Sequence, residues 1–191
     1  MKLSVALIGL IVSFQAFAGL GEDFRDLKDT GADYEVVGTV CEQVARLRYT
    51  EEFPANRYEV ITGVEYNDGQ RTIGELDVVV FERSSQQVVR VSEVKCWKDI
   101  GGAIRKAREQ RQRFQNHMRS GRPVFFKVLS GGDYRFKRDH FFATRDYAAV
   151  AQKGATVAGF ERELPYELKE LMQLRQMMLD CQRSRQCKRP E

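Results

Sequence analysis

Apolar and polar positions follow two rhythms along this chain. From Ala32 to about Tyr49, Val36, Val37, Val40, Val44 and Leu47 recur at steps of three and four, which predicts a helix with one buried face. Pro54 and Asn56 end it. Three extended runs follow: Tyr58–Tyr66, Thr72–Phe81 and Gln87–Trp97. Asn67-Asp68-Gly69 joins the first two as a hairpin signal, and Ser84-Ser85 separates the next pair. Val78-Val79-Val80-Phe81 is apolar at every position, which predicts a strand covered on both faces. The helical rhythm returns from Lys98 to about Ser120. Ile100, Ala103, Ile104, Ala107, Phe114 and Met118 make its apolar face, and Arg105, Lys106, Arg108, Arg113 and Arg119 occupy much of the rest. Pro123–Leu129 reads as a buried strand and Phe141–Thr144 as a short further one. Tyr147–Gln152 and Glu167–Asp180 read as helices. This order predicts an α/β sandwich, a central mixed sheet flanked by helices, in one domain with a C-terminal helical extension.

Residues 1–18 stand apart. Lys2 precedes an apolar run from Leu3 to Phe14, and Ala16-Phe17-Ala18 places small residues three and one positions before Gly19. Charged start, short apolar centre and small-x-small site are the layout of a signal peptide. The run is broken by Ser4, Gly9, Ser13 and Gln15 and is short for a bilayer-spanning helix. The expectation is an exported protein, periplasmic or secreted, comprising residues 19–191 and free of the membrane after cleavage. Export changes the reading of the cysteines, because disulfides persist outside the cytoplasm. Cys181 and Cys187 lie close together in a polar tail, so a local bridge between them is expected. Cys41 and Cys96 are then a second pair, or two buried thiols. A zinc site is disfavoured, since no C-x-x-C occurs and the two histidines stand away from the cysteines.

Length and charge narrow the picture further. With 191 residues, 42% of them apolar, a multi-domain machine, a multi-pass membrane protein and a cysteine-dense miniprotein are all excluded. The net charge of +4 is too small for an arginine-rich binder, yet it permits nucleic-acid contact where positive residues cluster.

The chemistry concentrates in Gly74-Glu75-Leu76-Asp77-Val78-Val79-Val80 and, on the next run, Glu93-Val94-Lys95. Side chains alternate across a strand, so Glu93 and Lys95 share a face. Asp77, on the preceding strand, would lie opposite them. Acids inside so apolar a sheet are costly unless paired or coordinating a metal. Asp77, Glu93 and the carbonyl of Val94 form an all-oxygen set suited to Mg²⁺, with Mn²⁺ as a substitute. Lys95 would stabilise charge on a phosphate. The bland alternative is a salt bridge at a sheet edge.

Together these residues resemble the PD-(D/E)XK nuclease superfamily, and the G-E-L-D-V-V-V…E-V-K form is most similar to its Holliday-junction-resolvase and Mrr-like branches. The resemblance spans roughly Ala32 to Leu129. It implies a restriction-endonuclease-like fold and a Mg²⁺-dependent nuclease acting on DNA first of all, with the choice between DNA and RNA left open by the sequence. Asp77, Glu93 and Lys95 would be the motif residues. Leu76 stands where the family's proline would be, a variation that resolvase-like members share. The resemblance further implies a glutamate from the helix before the first strand, Glu42 here with Glu35 as the alternative, and a glutamine after the lysine strand, Gln110 with Gln112 and Gln115 as competitors. Arg105, Lys106, Arg108 and Arg113 would contact phosphates. A homodimer is compatible with the family. Trp97, His117 and His140 read as structural or surface residues. The rival function is a binding module on the same fold with its metal site unused.

Overall fold

The computed structural model describes residues 19–190; the expected signal peptide, 1–18, lies outside them. The elements in chain order are α1 (19–27), α2 (Thr39–Glu52), β1 (Tyr58–Asn67), β2 (Thr72–Glu82), β3 (Val88–Lys95), α3 (Ile100–Arg119), β4 (Phe125–Val128), β5 (Asp146–Ala151), β6 (Arg162–Glu163) and α4 (Leu168–Arg183), with 3-10 turns at Arg138–Phe141 and Ala155–Ala158. The fold is α/β with a mixed six-stranded sheet. The chain divides into two compact units, one running from Cys41 to Leu168 and the other made of the flanking segments.

The larger unit holds the sheet, in the order β4-β1-β2-β3-β5-β6. Strands β4, β1, β2 and β3 pair antiparallel, whereas β5 joins β3 in parallel and β6 joins β5 in parallel. The β1–β2 hairpin turns where Asn67 Oδ1 accepts from the Gly69 N–H and Asp68 Oδ1 accepts from Gln70 and Arg71, the Asx-turn chemistry of such residues. Val78, Val79, Val80 and Phe81 are all buried, as their unbroken apolar run predicts. One core cluster gathers Ile61, Val64, Leu76, Val79, Phe81 and Val91 of the sheet with Phe114 of α3. A second packs Ala103, Ile104 and Ala107 of α3 on Ala149 and Ala151 of β5; small residues on both sides let helix and strand come close. Asp99 caps α3, its carboxylate accepting from the Gly102 N–H at 2.9 Å, so the helix begins just after the lysine strand.

Four expectations are corrected. The first helix starts at Thr39, not Ala32, and Val36 and Val37 are exposed ahead of it; three-residue spacing there reflected no buried face. Pro123–Leu129 supplies the edge strand β4, with Phe125 and Leu129 exposed rather than buried. Phe141–Thr144 is not a strand, since Phe141 closes a 3-10 turn. Tyr147–Gln152 is not helical: Asp146–Ala151 is β5, hydrogen-bonded beside β3 and buried over its last four residues. Alanine favours helix by intrinsic propensity, but a strand flanked on both edges needs small apolar side chains more than it needs β-propensity.

The smaller unit contains α1 and α4. Leu171, Leu174 and Met178 of α4 are fully buried. Its C-terminal end is fastened by the Cys181–Cys187 disulfide. Gln182 Nε2 donates to the carbonyls of Ala32 and Lys188, and the Lys188 N–H reaches Lys28 O.

Candidate active site

The centre of the site is built by two adjacent strands. Val78 of β2 lies opposite Ser92 of β3, which brings Asp77 beside the Glu93-Val94-Lys95 end of β3. Asp77 Oδ2 accepts from the Val94 N–H at 2.6 Å and from Lys95 Nζ at 2.7 Å. Lys95 Nζ also donates to the Val94 carbonyl at 3.1 Å and stands 3.7 Å from Glu93 Oε2. Asp77 and Glu93 are 6% and 2% exposed, so both acids and the ammonium meet inside the sheet. The three residues singled out on sequence therefore converge.

Asp77 reaches this place through a local irregularity. Its neighbours Leu76 and Val79 both enter the same core cluster, so the strict alternation of β2 slips between them. Gly63 stands between the partners of Val78 and Leu76 in β1 and takes a φ of 68°, a conformation that disfavours any residue with a Cβ. Gly74 has another reason to be glycine. Tyr66, directly opposite, lays its ring over it, and a Cβ at Gly74 would come within 2.6 Å of the phenol oxygen.

The electrostatics are those of too many acids for one cation. Burial raises the pKa of Glu93, and the Asp77 charge raises it further. Its Oε2 is buried without a hydrogen-bond partner among the described residues. Glu42, on the first turn of α2, is pushed up to about 8 by burial, then by Asp77 and Glu75. Glu75 is itself raised by burial, with Asp77 and Glu65 adding to it. Burial works against the charge on Lys95, but Asp77 and Glu93 outweigh it and hold the ammonium's pKa above its ordinary value. Four carboxyl groups thus share the field of one ammonium, and a buried carboxyl without a counter-charge keeps its proton instead.

Glu42 accordingly lies within the field of Asp77 and Lys95. Glu35 precedes α2 and pairs with Arg183 at 3.1 Å within the smaller unit. Gln110 buries its Oε1 without a partner among the described residues, and no hydrogen bond there joins it to the acids; Gln112 is exposed and Gln115 half-buried. Arg105, Lys106, Arg108 and Arg113 are exposed on α3. Arg108 donates to Gly159 O and Arg113 to Ile73 O, which fixes the latter two in place. Trp97 is exposed beyond the end of β3 and accepts from Gln152 through its carbonyl. His117 Nε2 is 3.1 Å from Pro123 O, and His140 Nδ1 accepts from the Lys137 N–H.

Two residues escaped sequence reasoning. Arg111 lines the small internal space it shares with Glu93, Phe114 and Tyr147, and its guanidinium forms a two-bond pair with Glu161. Its position one residue after Gln110 gave no signal among so many arginines. Glu75 stood inside the quoted motif but received no role, although it lies two residues before Asp77, where alternation puts both on one face of β2, and the Asp77 charge raises its carboxyl's pKa.

Among the described residues no group of three or more His, Cys, Asp or Glu side chains is drawn together as a metal cage. Asp77 Oδ2, the Val94 carbonyl and Glu93 Oε2 lie 2.7, 3.1 and 3.7 Å from Lys95 Nζ. They suit a hard cation that keeps most of its water, and Glu93 Oε2, which has the Lys95 ammonium at 3.7 Å but no hydrogen bond among the described residues, is the atom such a cation would satisfy. Comparison with protein-family models, curated proteins and solved structures gives no match for this chain.

Proposed function

We propose that this protein is an exported, Mg²⁺-dependent nuclease that hydrolyses phosphodiester bonds in DNA with little sequence specificity. The observation that carries the reading is a buried lysine on the same strand as one buried acid and hydrogen-bonded to another on the next strand. The resemblance of G-E-L-D-V-V-V…E-V-K to PD-(D/E)XK nucleases supports it. So does the charge imbalance, because an oxygen-lined site with surplus carboxyls gains most from a divalent cation.

Asp77, Glu93 and the Val94 carbonyl would hold the cation, with Glu42 as a further oxygen ligand. Mg²⁺, or Mn²⁺ in its stead, would supply Lewis-acid polarisation of a phosphoryl oxygen and acidify a water. Lys95 carries its charge at neutral pH and is aimed at the same spot, so it would stabilise the negative charge that builds on the phosphoryl group. Asp77 holds that ammonium in place through its second hydrogen bond to the chain. The exposed Arg105 and Lys106, with Arg108 and Arg113, would bind backbone phosphates, a contact that positions the duplex without reading bases.

Two disulfides, Cys41–Cys96 and Cys181–Cys187, agree with an oxidising location outside the cytoplasm. There the substrate is DNA from outside the cell rather than its own chromosome. The rival, a binding module, draws on the direct Lys95–Asp77 pair, which neutralises both groups without any metal. It predicts binding without turnover. Incubation of residues 19–191 with supercoiled plasmid, linear duplex and RNA, in Mg²⁺, Mn²⁺ or EDTA, separates them. The proposal expects cation-dependent cleavage of DNA; retained plasmid at every cation concentration, with salt-sensitive binding, would favour the rival.

A further inference from the structure

The Cys41–Cys96 disulfide joins the residue before Glu42 to the residue after Lys95. Its Cα atoms are 6.4 Å apart, and both cysteines are buried. Glu42 feels the charges of Asp77, Glu75 and Lys95, yet no hydrogen bond or ion pair of its own fixes it among the described residues. Its place therefore depends on where the first turn of α2 is held. Two other ties hold α2 to the sheet: Gln43 Nε2, next to Glu42 but on the side facing β1, donates to Thr62 Oγ1 at 3.2 Å, and farther along the Tyr49 hydroxyl is 2.9 Å from Ser92 Oγ. Those ties sit on β1 and mid-β3. The disulfide is the one at the lysine end of the site.

We propose that Cys41–Cys96 is a positioning bond that delivers Glu42 to the Asp77–Glu93–Lys95 site, so that the cation site is complete only in the oxidised protein. The inference rests on the cation-dependent reading above and adds a redox gate to it. Closing the bond removes two electrons and two protons from the two thiols and passes them to a disulfide oxidant, which leaves as a dithiol. Before oxidation the helix would stay on the sheet through Gln43 and Tyr49, but the Cys41 side of its first turn, and the Glu42 carboxyl with it, would have no covalent tie to the Lys95 end of β3. A freshly made chain in a reducing compartment would thus be folded and inactive.

The test is Mn²⁺ binding by titration calorimetry to residues 19–191, with Cys181–Cys187 intact in every protein. Wild type is compared with Cys41→Ala/Cys96→Val, with Glu42→Gln, and with the triple variant; Cys41→Ser/Cys96→Ser is a second replacement pair. Far-UV circular dichroism checks the fold of each. The proposal expects the cysteine-pair variant to keep the wild-type spectrum and to bind Mn²⁺ about tenfold more weakly or worse, the scale seen when groups that orient a metal ligand are lost. Glu42→Gln weakens binding similarly, and the triple variant binds no worse than Glu42→Gln alone, because the bond acts through that carboxyl.

A cysteine-pair variant that binds within about twofold of wild type overturns the inference, as does a triple variant in which the two losses multiply. Failure of both replacement pairs to fold also overturns it, since the bond would then serve the fold and not Glu42. Wild type that binds no Mn²⁺ overturns the cation site itself and this inference with it. In that last case all five proteins behave alike, which sets it apart from a failure of the positioning role alone.

Discussion

A lysine 11% exposed in its side chain, touching one buried carboxylate and facing another, is an arrangement whose members differ sharply in what they do for stability. Asp77 gives Lys95 its hydrogen-bonded counter-charge and also receives the Val94 N–H. Removing that charge leaves a buried ammonium and a backbone donor poorly matched. Asp77→Asn is expected to destabilise the fold by about 3–5 kcal/mol, the usual loss on breaking one side of a buried pair, as read from urea unfolding. Glu93 is the opposite case. Its carboxyl is raised by burial and by Asp77, and one oxygen has no hydrogen bond among the described residues, so a neutral amide relieves rather than creates a problem. Glu93→Gln is expected to leave stability unchanged or increased in the same measurement while abolishing activity, the signature of a residue kept for function at a cost to the fold. The glycine at Gly74 belongs to this scale too. A methyl there would overlap the Tyr66 ring, and Gly74→Ala should cost about 1–3 kcal/mol, as overpacking does. Asp77, Glu93 and Lys95 were legible because acids and a lysine embedded in valine runs have few structural explanations. Arg111 was not, because a guanidinium on an arginine-rich helix carries no mark of which way it faces.

Elements were legible where their pattern was set by one neighbour and illegible where it was set by two. The β1–β2–β3 meander could be drawn from alternation and turn residues alone, to within a residue or two at each end. Strand β5 could not, because Ala148-Ala149-Val150-Ala151 is buried between β3 and β6 and under α3, and tertiary packing overrode the helical preference of alanine. Arg90 in the middle of β3 shows the same effect. It is 4% exposed, lies 4.7 Å from the rings of both Tyr49 and Phe53, and ties to Glu52 and Asp146. These contacts fasten the far end of α2 to the sheet, as Cys41–Cys96 fastens the near end. The Arg90 hydrogen bonds hold the Glu52 carboxyl below its ordinary range. A carboxyl with a depressed folded-state pKa contributes stability that is present above its unfolded value of 4.5 and is lost as pH falls through the folded value. Wild type should therefore lose stability on acidification below that point, and Glu52→Gln should lose less over the same range. Because Glu52 is partly exposed, the difference is small and is best read as a shift in urea midpoint between pH 6 and pH 3, about 1 kcal/mol or less.

For the whole molecule, the net charge of +4 gave no strong pull toward nucleic acid, and the case for DNA rests on where the positive residues stand. Arg105 and Lys106 are exposed on α3, whose N-terminus follows the lysine strand closely. If they contact phosphates, replacing both with alanine should flatten the dependence of log affinity on log salt by about 2, since each phosphate contact contributes close to 0.9. Fluorescence anisotropy of a labelled duplex at several salt concentrations reads that slope; an unchanged slope would place DNA elsewhere. The fold class was legible from element order and the Cys181–Cys187 bridge from the closeness of its cysteines in the chain, whereas the pattern left Cys41 and Cys96 open between a bridge and two buried thiols. The measurement that bears most directly on the account is the rate of plasmid nicking in Mg²⁺ by wild type, Lys95→Ala and Glu93→Gln, each first shown to be folded. The account predicts nicking by wild type that EDTA stops, and a loss in both variants of at least about a hundredfold, the scale of one lost electrostatic or acid–base group. Nicking that survives both substitutions, or wild type that leaves the plasmid intact at every Mg²⁺ concentration, would contradict it.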